Sequence, residues 1–525
     1  MNDITRREFN KKIGIGLSGI AALNSGVLNA AEKISKFAEQ KTKPNILFIC
    51  SDQHSFNYTG FSGHPKIKTP NLDQLAKNGT VFSDAYSGQP VCVPGRASLM
   101  TGMFASDVGS YCNTTVWDGS KPIWGKYFRD AGYHTRASGK LDLDDSIDTG
   151  FNEVLTTHGH KSNPDITSLF RQPLCYRVGE RPQVDGSSRA GYHTDDYAIT
   201  KNAIGFIENE SKDLNKPWAL YLGYQQPHPK FIANEKYYNQ YLKDVGLPDV
   251  TNEELEDMHL VYQELRHFKR VANPIDIERM KRARAAYYGM ITELDELIGK
   301  VITSLKESNQ FKNTIIVYTS DHGESLGDHG LWYKNNLYDC SVRIPLIISG
   351  PGIPEDRVEK IPVAQVDLVP TLLEFAKIEN PNYLRGESLT RFFKKENNDK
   401  NENVVYAESH SEGNCTGSFM IRKGDWKYIY FTNYEDLLFN LKHDPKERNN
   451  LANIEKYKSK KEELNKELMK KVNPDKITSD AFKKQKSYLD KMVAENDEDG
   501  LFDIFKSRLG NGQARTLSQR LKGKF

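Results

Sequence analysis

The segment from Cys92 to Arg96 places a cysteine, a proline and an arginine at a spacing that suits nucleophilic chemistry. Gly95 is predicted to begin a helix that runs to Met100, so Cys92 is expected near a helix N-terminus. Backbone N–H groups there favour developing negative charge, and Arg96, one turn into the helix, can add charge-assisted hydrogen bonds. Alone, the segment also fits an ordinary buried cysteine before a proline-initiated helix.

Polar residues follow four predicted strands. Continuous apolar runs such as 45–50 and 315–319 are typical of strands that are buried on both faces. Ligand sites in open α/β sheets lie outside the carboxyl ends of the strands. We therefore expect one crevice to be lined by the polar residues after these strands, which are Asp52, Gln53, Lys140, His228, Asp321 and His322.

These strands alternate with segments of helical periodicity at 71–78, 195–210 and 277–305. The alternation predicts an α/β fold with a large, mainly parallel, doubly wound sheet. The predicted strands are 45–50, 133–137, 218–223, 315–319 and 344–348.

The pattern changes at about residue 402 to short strands with turns, followed by a charged amphipathic helix. This predicts a smaller C-terminal antiparallel sheet plus helix. The predicted domains are a catalytic domain at 44–395, an α+β subdomain at 402–472 and a helical charged tail at 473–525. We expect the tail to be solvated helix and loop, with a frayed basic end. The formal net charge of +2 gives no indication of a nucleic-acid partner.

The N-terminus has the features of an export signal. A twin arginine, Arg6 and Arg7, precedes a mildly apolar stretch at 13–27 that ends in small residues. This predicts a Tat-type signal peptide at 1–31 and a polar linker at 32–43, with the Tat machinery as partner and a periplasmic or secreted location. The alternative is an amphipathic first helix. The stretch is short and interrupted by Gly and Ser, so no stable membrane span is expected.

Three segments together resemble the type I, formylglycine-dependent sulfatases of the alkaline phosphatase superfamily. They are the C-x-P-x-R run from Cys92, the strand that ends at Asp52 and Gln53, and the stretch Thr-Ser-Asp-His-Gly-Glu at 319–324. The pentapeptide alone is a weak signal, whereas its combination with the two strand ends is specific. The resemblance implies an alkaline phosphatase-like fold and the hydrolysis of sulfate esters.

The resemblance further implies that Cys92 is oxidised to formylglycine (3-oxoalanine). Its aldehyde hydrates to a geminal diol, which is the nucleophile, and Arg96 would hold that diol. A formylglycine-generating enzyme or an anaerobic sulfatase-maturating enzyme is then a partner of this chain.

A divalent cation site is implied at Asp52, Gln53, Asp321 and His322, closed by one diol oxygen of residue 92. In the resembled family the ion is usually Ca²⁺, and one ion per chain would lower the pKa of the diol and polarise the sulfate. Many members have Asp at the position of Gln53 and Asn at that of His322. Both differences make the site less anionic or less hard, which leaves a softer divalent metal open.

Lys140 and Lys334 match the two sulfate-binding lysines of the family, and two ammonium groups would stabilise charge on the sulfuryl oxygens. His228 matches the histidine that contacts the sulfate and can protonate the leaving oxygen. Many sulfatases have a histidine two residues after the first lysine, where this chain has Asp142. Asp142 is therefore the candidate that takes the proton when the sulfated intermediate collapses.

Within the family, the segments 138–142, 256–259 and 407–429 resemble the arylsulfatase K group, which removes 2-O-sulfate from glucuronate. By this likeness His259 would contact substrate, although the residue also fits an exposed position on a charged, helix-like segment. The expected substrate is a sulfated polysaccharide or its oligosaccharides, with a uronate 2-O-sulfate or an algal, ulvan-type sugar sulfate.

Two other functions remain open on the sequence. A phosphodiester or phosphonate monoester hydrolase of the same superfamily can share the formylglycine and an Asp-Gln strand end. A catalytically dead, carbohydrate-binding protein is the other alternative, although the nucleophile, lysine and metal positions are all filled apart from the change at Asp142.

Overall fold

The computed structural model describes residues 43–155, 184–394 and 403–523, apart from 145, 193, 274 and 411. The predicted signal peptide and the predicted linker up to residue 42 lie outside the described residues. The strands are β1 (Asn45–Ser51), β2 (Gly79–Phe82), β3 (Ala85–Tyr86), β4 (His134–Gly139), β5 (Glu153–Leu155), β6 (Gly186–Arg189), β7 (Trp218–Gly223), β8 (Phe231–Asn234), β9 (Thr314–Ser320), β10 (Arg343–Ile344), β11 (Leu346–Ser349), β12 (Arg357–Glu359), β13 (Val363–Ala364), β14 (Val404–Ser409), β15 (Ser418–Lys423), β16 (Trp426–Phe431) and β17 (Leu437–Asn440).

The α-helices lie between and after these strands. They are α1 (Pro70–Lys77), α2 (Cys92–Thr101), α3 (Trp124–Asp130), α4 (Asp196–Glu208), α5 (Glu235–Tyr241), α6 (Asn252–Glu256), α7 (Leu260–Lys269), α8 (Ile277–Glu307), α9 (Asp339–Val342), α10 (Leu368–Phe375), α11 (Lys458–Lys471), α12 (Pro474–Glu495) and α13 (Glu498–Leu521).

Eight strands form the central sheet, in the order β12-β2-β11-β9-β1-β7-β4-β5. Neighbouring strands in this sheet are parallel except where β11 pairs with β9 and β2. The prediction of a large, mainly parallel sheet is therefore confirmed. The residues from Pro44 to the C-terminus form one compact unit.

Helices cover both faces of the sheet because successive side chains of a strand point to opposite sides. Ile46 and Phe48 of β1 pack in one apolar cluster, which also contains residues of α2, α3 and α10. Leu47 and Ile49 pack in a second cluster with residues of α1, α4 and α8. Side chains on both faces of β1 are thus buried. This explains why the strand is apolar throughout and does not alternate between apolar and polar residues.

The four strands that precede the predicted site residues are neighbours in the sheet, in the order β9-β1-β7-β4. They are parallel and in register at their carboxyl ends, where Ser51 pairs with Ser320 and Gly139 with Gly223. The residues that follow these strands consequently meet at one edge, as the sequence predicts.

Most predicted bounds lie within two residues of the observed ones, and two elements differ by more. The predicted strand at 344–348 is two strands, because Pro345 has no backbone N–H to continue a ladder. Its first part, β10, pairs with β3 in a separate sheet, and the second part, β11, joins the central sheet in antiparallel orientation. The helix expected from Gly95 begins three residues earlier, at Cys92 itself.

The C-terminal sheet is antiparallel, with the order β14-β15-β16-β17, as predicted. Its inner face shares an apolar cluster with residues of α7 and α11. The tail differs from the expected solvated helix and loop, because α12 and α13 bury an apolar cluster of their own that includes Met492, Phe505 and Ala514. The basic end therefore stays helical to Leu521. No helix among the described residues is long and apolar enough to span a bilayer.

Candidate active site

Cys92 is the first residue of α2 and is almost completely buried, with 3% of its surface exposed. The residue before it, Val91, has no side chain that could cap the helix. An acceptor for one of the free N–H groups is instead provided by a residue outside the helix. The Val93 N–H donates to Asn113 Oδ1 at 3.1 Å. The sulfur thus lies at the positive end of a helix.

Four side chains meet around this sulfur. The ligand atoms of Asp52, Cys92, Asp321 and His322 all lie within 4.8 Å of one another, and all four residues are buried. The sulfur is 3.6 Å from Asp52 Oδ1 and 3.3 Å from His322 Nε2. Three elements contribute them, since Asp52 follows β1, Asp321 and His322 follow β9, and Cys92 begins α2.

A hydrogen bond to the backbone of the next residue orients the His322 ring. Its Nδ1 atom lies 2.9 Å from the carbonyl oxygen of Gly323, which can only accept a hydrogen bond. Nδ1 therefore carries the proton, and Nε2 presents its lone pair to the cluster. That arrangement is the one required of a metal-ligating histidine.

The two carboxylates of the cluster differ in protonation behaviour. Burial opposes ionisation of Asp52, but Lys140, His228 and Lys334 together hold its pKa well below the usual range. Burial and the nearby charge of Asp52 instead raise the pKa of Asp321. Two buried carboxylates beside an imidazole nitrogen fit a divalent cation, which would offset the repulsion between the carboxylates.

Lys334 also contacts the sulfur. Its Nζ donates to Cys92 Sγ and to Gln53 Oε1, at 2.9 Å in each case. The other end of the Gln53 amide donates to Glu324 Oε2, and Glu324 Oε1 accepts from the Tyr333 N–H at 2.6 Å. The amide orientation of Gln53 is thus determined by a cation at one end and a carboxylate at the other.

Arg96 contacts both sides of the cluster from the first turn of α2. Its Nε donates to Asp321 Oδ2 at 2.9 Å, and its Nη1 donates to the Tyr221 hydroxyl at 2.9 Å. Its Nη2 is 3.7 Å from Asp52 Oδ2 and makes no hydrogen bond with any described residue. A fully buried donor without an acceptor indicates that an oxygen atom belongs there.

Lys140 and Asp142 lie beside Asp52 at the end of β4. Lys140 Nζ contacts Asp52 Oδ2 and is 3.1 Å from Asp142 Oδ2, which is in turn 3.8 Å from Arg96 Nε. Burial disfavours the charged form of Lys140, but Asp142 and Asp52 raise its pKa well above the usual value. Lys140 therefore stays cationic at the rim, where 13% of its side chain is exposed.

His228 occupies the loop after β7 and is half-buried. The loop is held by Asp196 at the start of α4, whose two oxygens accept from the backbone N–H groups of Gln225 and Gln226 at 2.8 and 2.9 Å. Burial raises the pKa of Asp52, whereas positive charge on Lys140 and on His228 lowers it.

The geometry agrees with what comparison with known proteins shows. A sequence model of the sulfatase family matches residues 44–378. The chain belongs to the sulfatase family. A second model, described as the C-terminal part of N-sulphoglucosamine sulphohydrolase, matches residues 327–474 of this sulfatase. The protein is accordingly a sulfuric ester hydrolase.

Relatives of this sulfatase include animal and bacterial proteins. Arylsulfatase K of Gallus gallus is 29% identical over 462 residues, covering 83% of this chain and 84% of that protein. Choline-sulfatase of Rhizobium meliloti (strain 1021) is 32% identical over 440 residues, covering 78% and 82%. The crystal structure of the phosphonate monoester hydrolase of Agrobacterium radiobacter superposes with a TM-score of 0.70 at 24% identity, covering 82% and 95%, which shows a shared fold.

His259 of the sulfatase lies outside the group of residues that meets at Cys92. Its Nδ1 accepts from the Val261 N–H at 3.3 Å, which caps α7, and its Nε2 donates to the carbonyl of Glu435 at 2.8 Å. The ring also stacks on Phe431 with centroids 4.2 Å apart. His259 lines a cleft of about 1020 Å³, and none of the other predicted site residues lines that cleft.

Several residues of the site are not predicted from the sequence. Glu324 lies two residues after His322, within the 319–324 motif, so its position is a usable signal. The others come from distant parts of the chain and carry no local pattern: Asn113, Tyr221, Lys269 and Glu412.

Proposed function

We propose that this sulfatase is exported and hydrolyses sulfate esters of a sulfated polysaccharide or its oligosaccharides through a formylglycine diol at residue 92. One observation carries the proposal: the sulfur of Cys92 lies within 3.6 Å of a carboxylate, an imidazole nitrogen and an ammonium group. Such a constellation can hold an oxygen nucleophile at that position and neutralise the charge on a sulfuryl group.

The nucleophile is the hydrated aldehyde formed when Cys92 is oxidised. Arg96 supports this assignment, because its buried Nη2 lacks an acceptor that a diol oxygen would supply. Lys334 and the N-terminus of α2 would bind the second diol oxygen in its ionised form, since both favour negative charge at residue 92.

We propose Ca²⁺ as the ion, held by Asp52, Gln53, Asp321 and His322. When bound, it would favour ionisation of the diol and withdraw charge from the sulfate. The imidazole of His322 is a softer donor than the oxygens around it, so the preference for Ca²⁺ over a transition ion is a point to be measured.

The chemistry follows from the positions of the protein's own groups. The ionised diol oxygen attacks sulfur, the bond from sulfur to the sugar oxygen breaks, and that oxygen takes a proton from His228. Lys140 and Lys334 stabilise the charge on the sulfuryl oxygens. Asp142 then takes the proton of the remaining hydroxyl, the carbonyl of residue 92 re-forms, and the bond from its carbon to sulfate breaks. Water hydrates the aldehyde and restores the diol.

The proposed substrate is a uronate 2-O-sulfate, which the arylsulfatase K likeness of the sequence supports, with an algal, ulvan-type sugar sulfate as the alternative. Export by the Tat route is compatible with this chemistry, because that route carries folded proteins and the aldehyde is installed on an unfolded chain. Maturation would then be complete before the enzyme leaves the cytoplasm.

The test begins with residue 92. Protein co-produced with a maturation enzyme should show, by mass spectrometry of the peptide, an aldehyde oxygen in place of the thiol, and it should release sulfate. Cys92→Ala, produced in the same way, should retain the fold and lose turnover. An unmodified thiol in protein that nevertheless releases sulfate at full rate would refute the assignment of the nucleophile.

Three measurements then define the reaction and the substrate. Sulfate esters should be turned over faster than aryl phosphonate monoesters, and the opposite order would indicate the phosphonate hydrolase. In a panel of defined sulfated oligosaccharides, the uronate 2-O-sulfate should release sulfate faster than hexosamine or rhamnose sulfates. Solvent oxygen labelled with ¹⁸O should appear in the sulfate and not in the sugar alcohol, because attack is at sulfur.

A further inference from the structure

We propose that Lys269 and Glu412 form a buried ion pair that positions Lys334 and the start of α2, and so act as positioning residues for the catalytic site. Lys269 is the last residue of α7, and its Nζ lies 3.8 Å from Glu412 Oε2. Only 3% of either side chain is exposed. The inference rests on the role of Lys334 in the proposed function.

Lys269 acts on the backbone that carries Lys334. Its Nζ donates to Asn335 Oδ1 at 2.5 Å. The residues on either side of Lys334 have left-handed backbones, with φ of 67° at Tyr333 and 83° at Asn335. Asparagine tolerates this conformation, whereas a bulky residue such as Tyr333 adopts it rarely, so surrounding contacts must support it. Two buried charged groups provide those contacts, Glu324 on the Tyr333 N–H and Lys269 on the Asn335 side chain.

Asn335 also connects this segment to the nucleophile. Its N–H donates to the carbonyl of Pro90 at 3.2 Å, two residues before Cys92. Its own carbonyl accepts from Asn414 Nδ2 at 2.9 Å. A displacement of Asn335 would therefore move both Lys334 and the loop that enters α2.

Glu412 reaches the same helix by a second route. Its Oε1 accepts from Asn113 Nδ2, and Asn113 Oδ1 accepts from the Val93 N–H at 3.1 Å. Asn113 is thus the group that caps α2 from outside, in place of Val91, and Glu412 determines its amide orientation. Through Asn335 and Asn113, the ion pair is therefore connected to both groups that face residue 92, which are the ammonium of Lys334 and the N-terminus of α2.

A buried ion pair is weak evidence for stability, because desolvation offsets much of the attraction between its charges. The contacts of Lys269 and Glu412 with Asn335 and Asn113 instead suggest a role in geometry. Lys427 of β16 offers a matched comparison, because its side chain is also fully buried. Its Nζ lies 2.7 Å from Asp339 Oδ1 and 2.7 Å from Glu447 Oε1.

The experiment is a double-mutant cycle on the converted, metal-loaded enzyme with an aryl sulfate. Lys269→Met should lower kcat by about 10-fold to 100-fold, the range typical of removing a group that orients an active-site residue. KM should change little. In a Lys334→Ala background the same substitution should have a smaller effect on kcat than in the parent, because part of the effect of Lys269 passes through Lys334. Lys427→Met should lower stability without the loss of kcat. If the fold-losses in kcat caused by Lys269→Met and Lys334→Ala multiply in the double variant, the proposal is overturned.

A second measurement does not depend on turnover. In a crystal structure of unconverted Lys269→Met, the distance from Lys334 Nζ to Cys92 Sγ should exceed the 2.9 Å of the parent protein. An unchanged distance would contradict the inference even if the proposed reaction were wrong. Glu412→Gln keeps the acceptor for Asn113 and provides the same test should Lys269→Met fail to fold. If the parent enzyme is active and Lys269→Met has the same kcat, the positioning role is rejected while the proposed function stands.

Discussion

His322 faces Cys92 through its Nε2 atom at 3.3 Å, although 230 positions separate the two residues in the chain. Its other nitrogen donates to the Gly323 carbonyl, so the imidazole cannot turn away without losing a buried hydrogen bond. The hydrogen bond therefore orients the ring so that Nε2 points to the cluster. This makes His322 the residue whose replacement should change which metal ion the site prefers.

His322→Asn should shift the metal preference toward harder ions. The amide oxygen of asparagine is a harder donor than imidazole, so the ratio of Ca²⁺ affinity to Zn²⁺ affinity should rise in the variant. Chelation should abolish activity of the parent enzyme, and calorimetric titration of the stripped protein measures both affinities. His443→Asn, at an exposed position, is the control. An unchanged affinity ratio would show that His322 is not a ligand.

His228→Ala should lower kcat most for substrates with poor leaving groups. A sugar alcohol needs a proton as the bond from sulfur to oxygen breaks, whereas 4-nitrophenolate leaves without one. We expect kcat on a sugar sulfate to fall by about 100-fold or more, in line with the loss of a general acid. The loss on 4-nitrophenyl sulfate should be much smaller. Equal losses on the two substrates would mean that His228 binds the sulfate but does not transfer the proton.

Asp142→Asn should slow the second half of the reaction. If Asp142 takes the proton that allows the aldehyde to re-form, the variant should accumulate protein sulfated at residue 92. Rapid quenching followed by intact mass measurement detects that adduct, together with a burst of released alcohol. The side chain lies 3.1 Å from Lys140 Nζ, so binding is also expected to weaken modestly. Slow turnover with neither adduct nor burst would assign Asp142 to orienting Lys140.

Asp196 should make the stability of the protein depend on pH. Burial raises the pKa of its carboxyl to about 7. The folded state therefore binds a proton more tightly than the unfolded state, in which the pKa is near its ordinary value. The stabilisation is complete below about pH 4 and is lost as the pH rises to about 7. The total change is about 4 kcal/mol in the free energy of unfolding.

The measurement compares urea unfolding of the parent and of Asp196→Asn from about pH 4 to about pH 8. Asparagine cannot ionise and accepts only one of the two hydrogen bonds from the His228 loop, so the variant should be less stable at low pH. The gap between the two proteins should narrow as the pH rises. Asp213→Asn, at an exposed position outside the His228 loop, should keep the slope of the parent, and a gap that stays constant would disprove the assignment.

The sequence predicted the fold class and the edge of the sheet where the site lies, because both follow from local patterns. Apolar runs without alternation indicate buried parallel strands, and polar residues at their ends indicate the crevice. The division of the strand at Pro345 and the apolar cluster of the tail were not predicted, for different reasons. Pro345 lies within an apolar run, and the apolar residues of the tail are spread thinly among charged ones.

The chemistry available to this protein can be recognised from local motifs alone, because Cys92, Arg96 and the paired strand ends each occupy a short stretch of chain. Which atoms meet depends on the packing of the chain. Lys334 contacts the sulfur, His259 contacts Glu435 instead, and Lys269 and Glu412 contact Asn335 and Asn113. The physical reason is that these contacts join residues from distant segments. Their distances depend on how the helices and loops pack, and no periodicity in the chain encodes that packing.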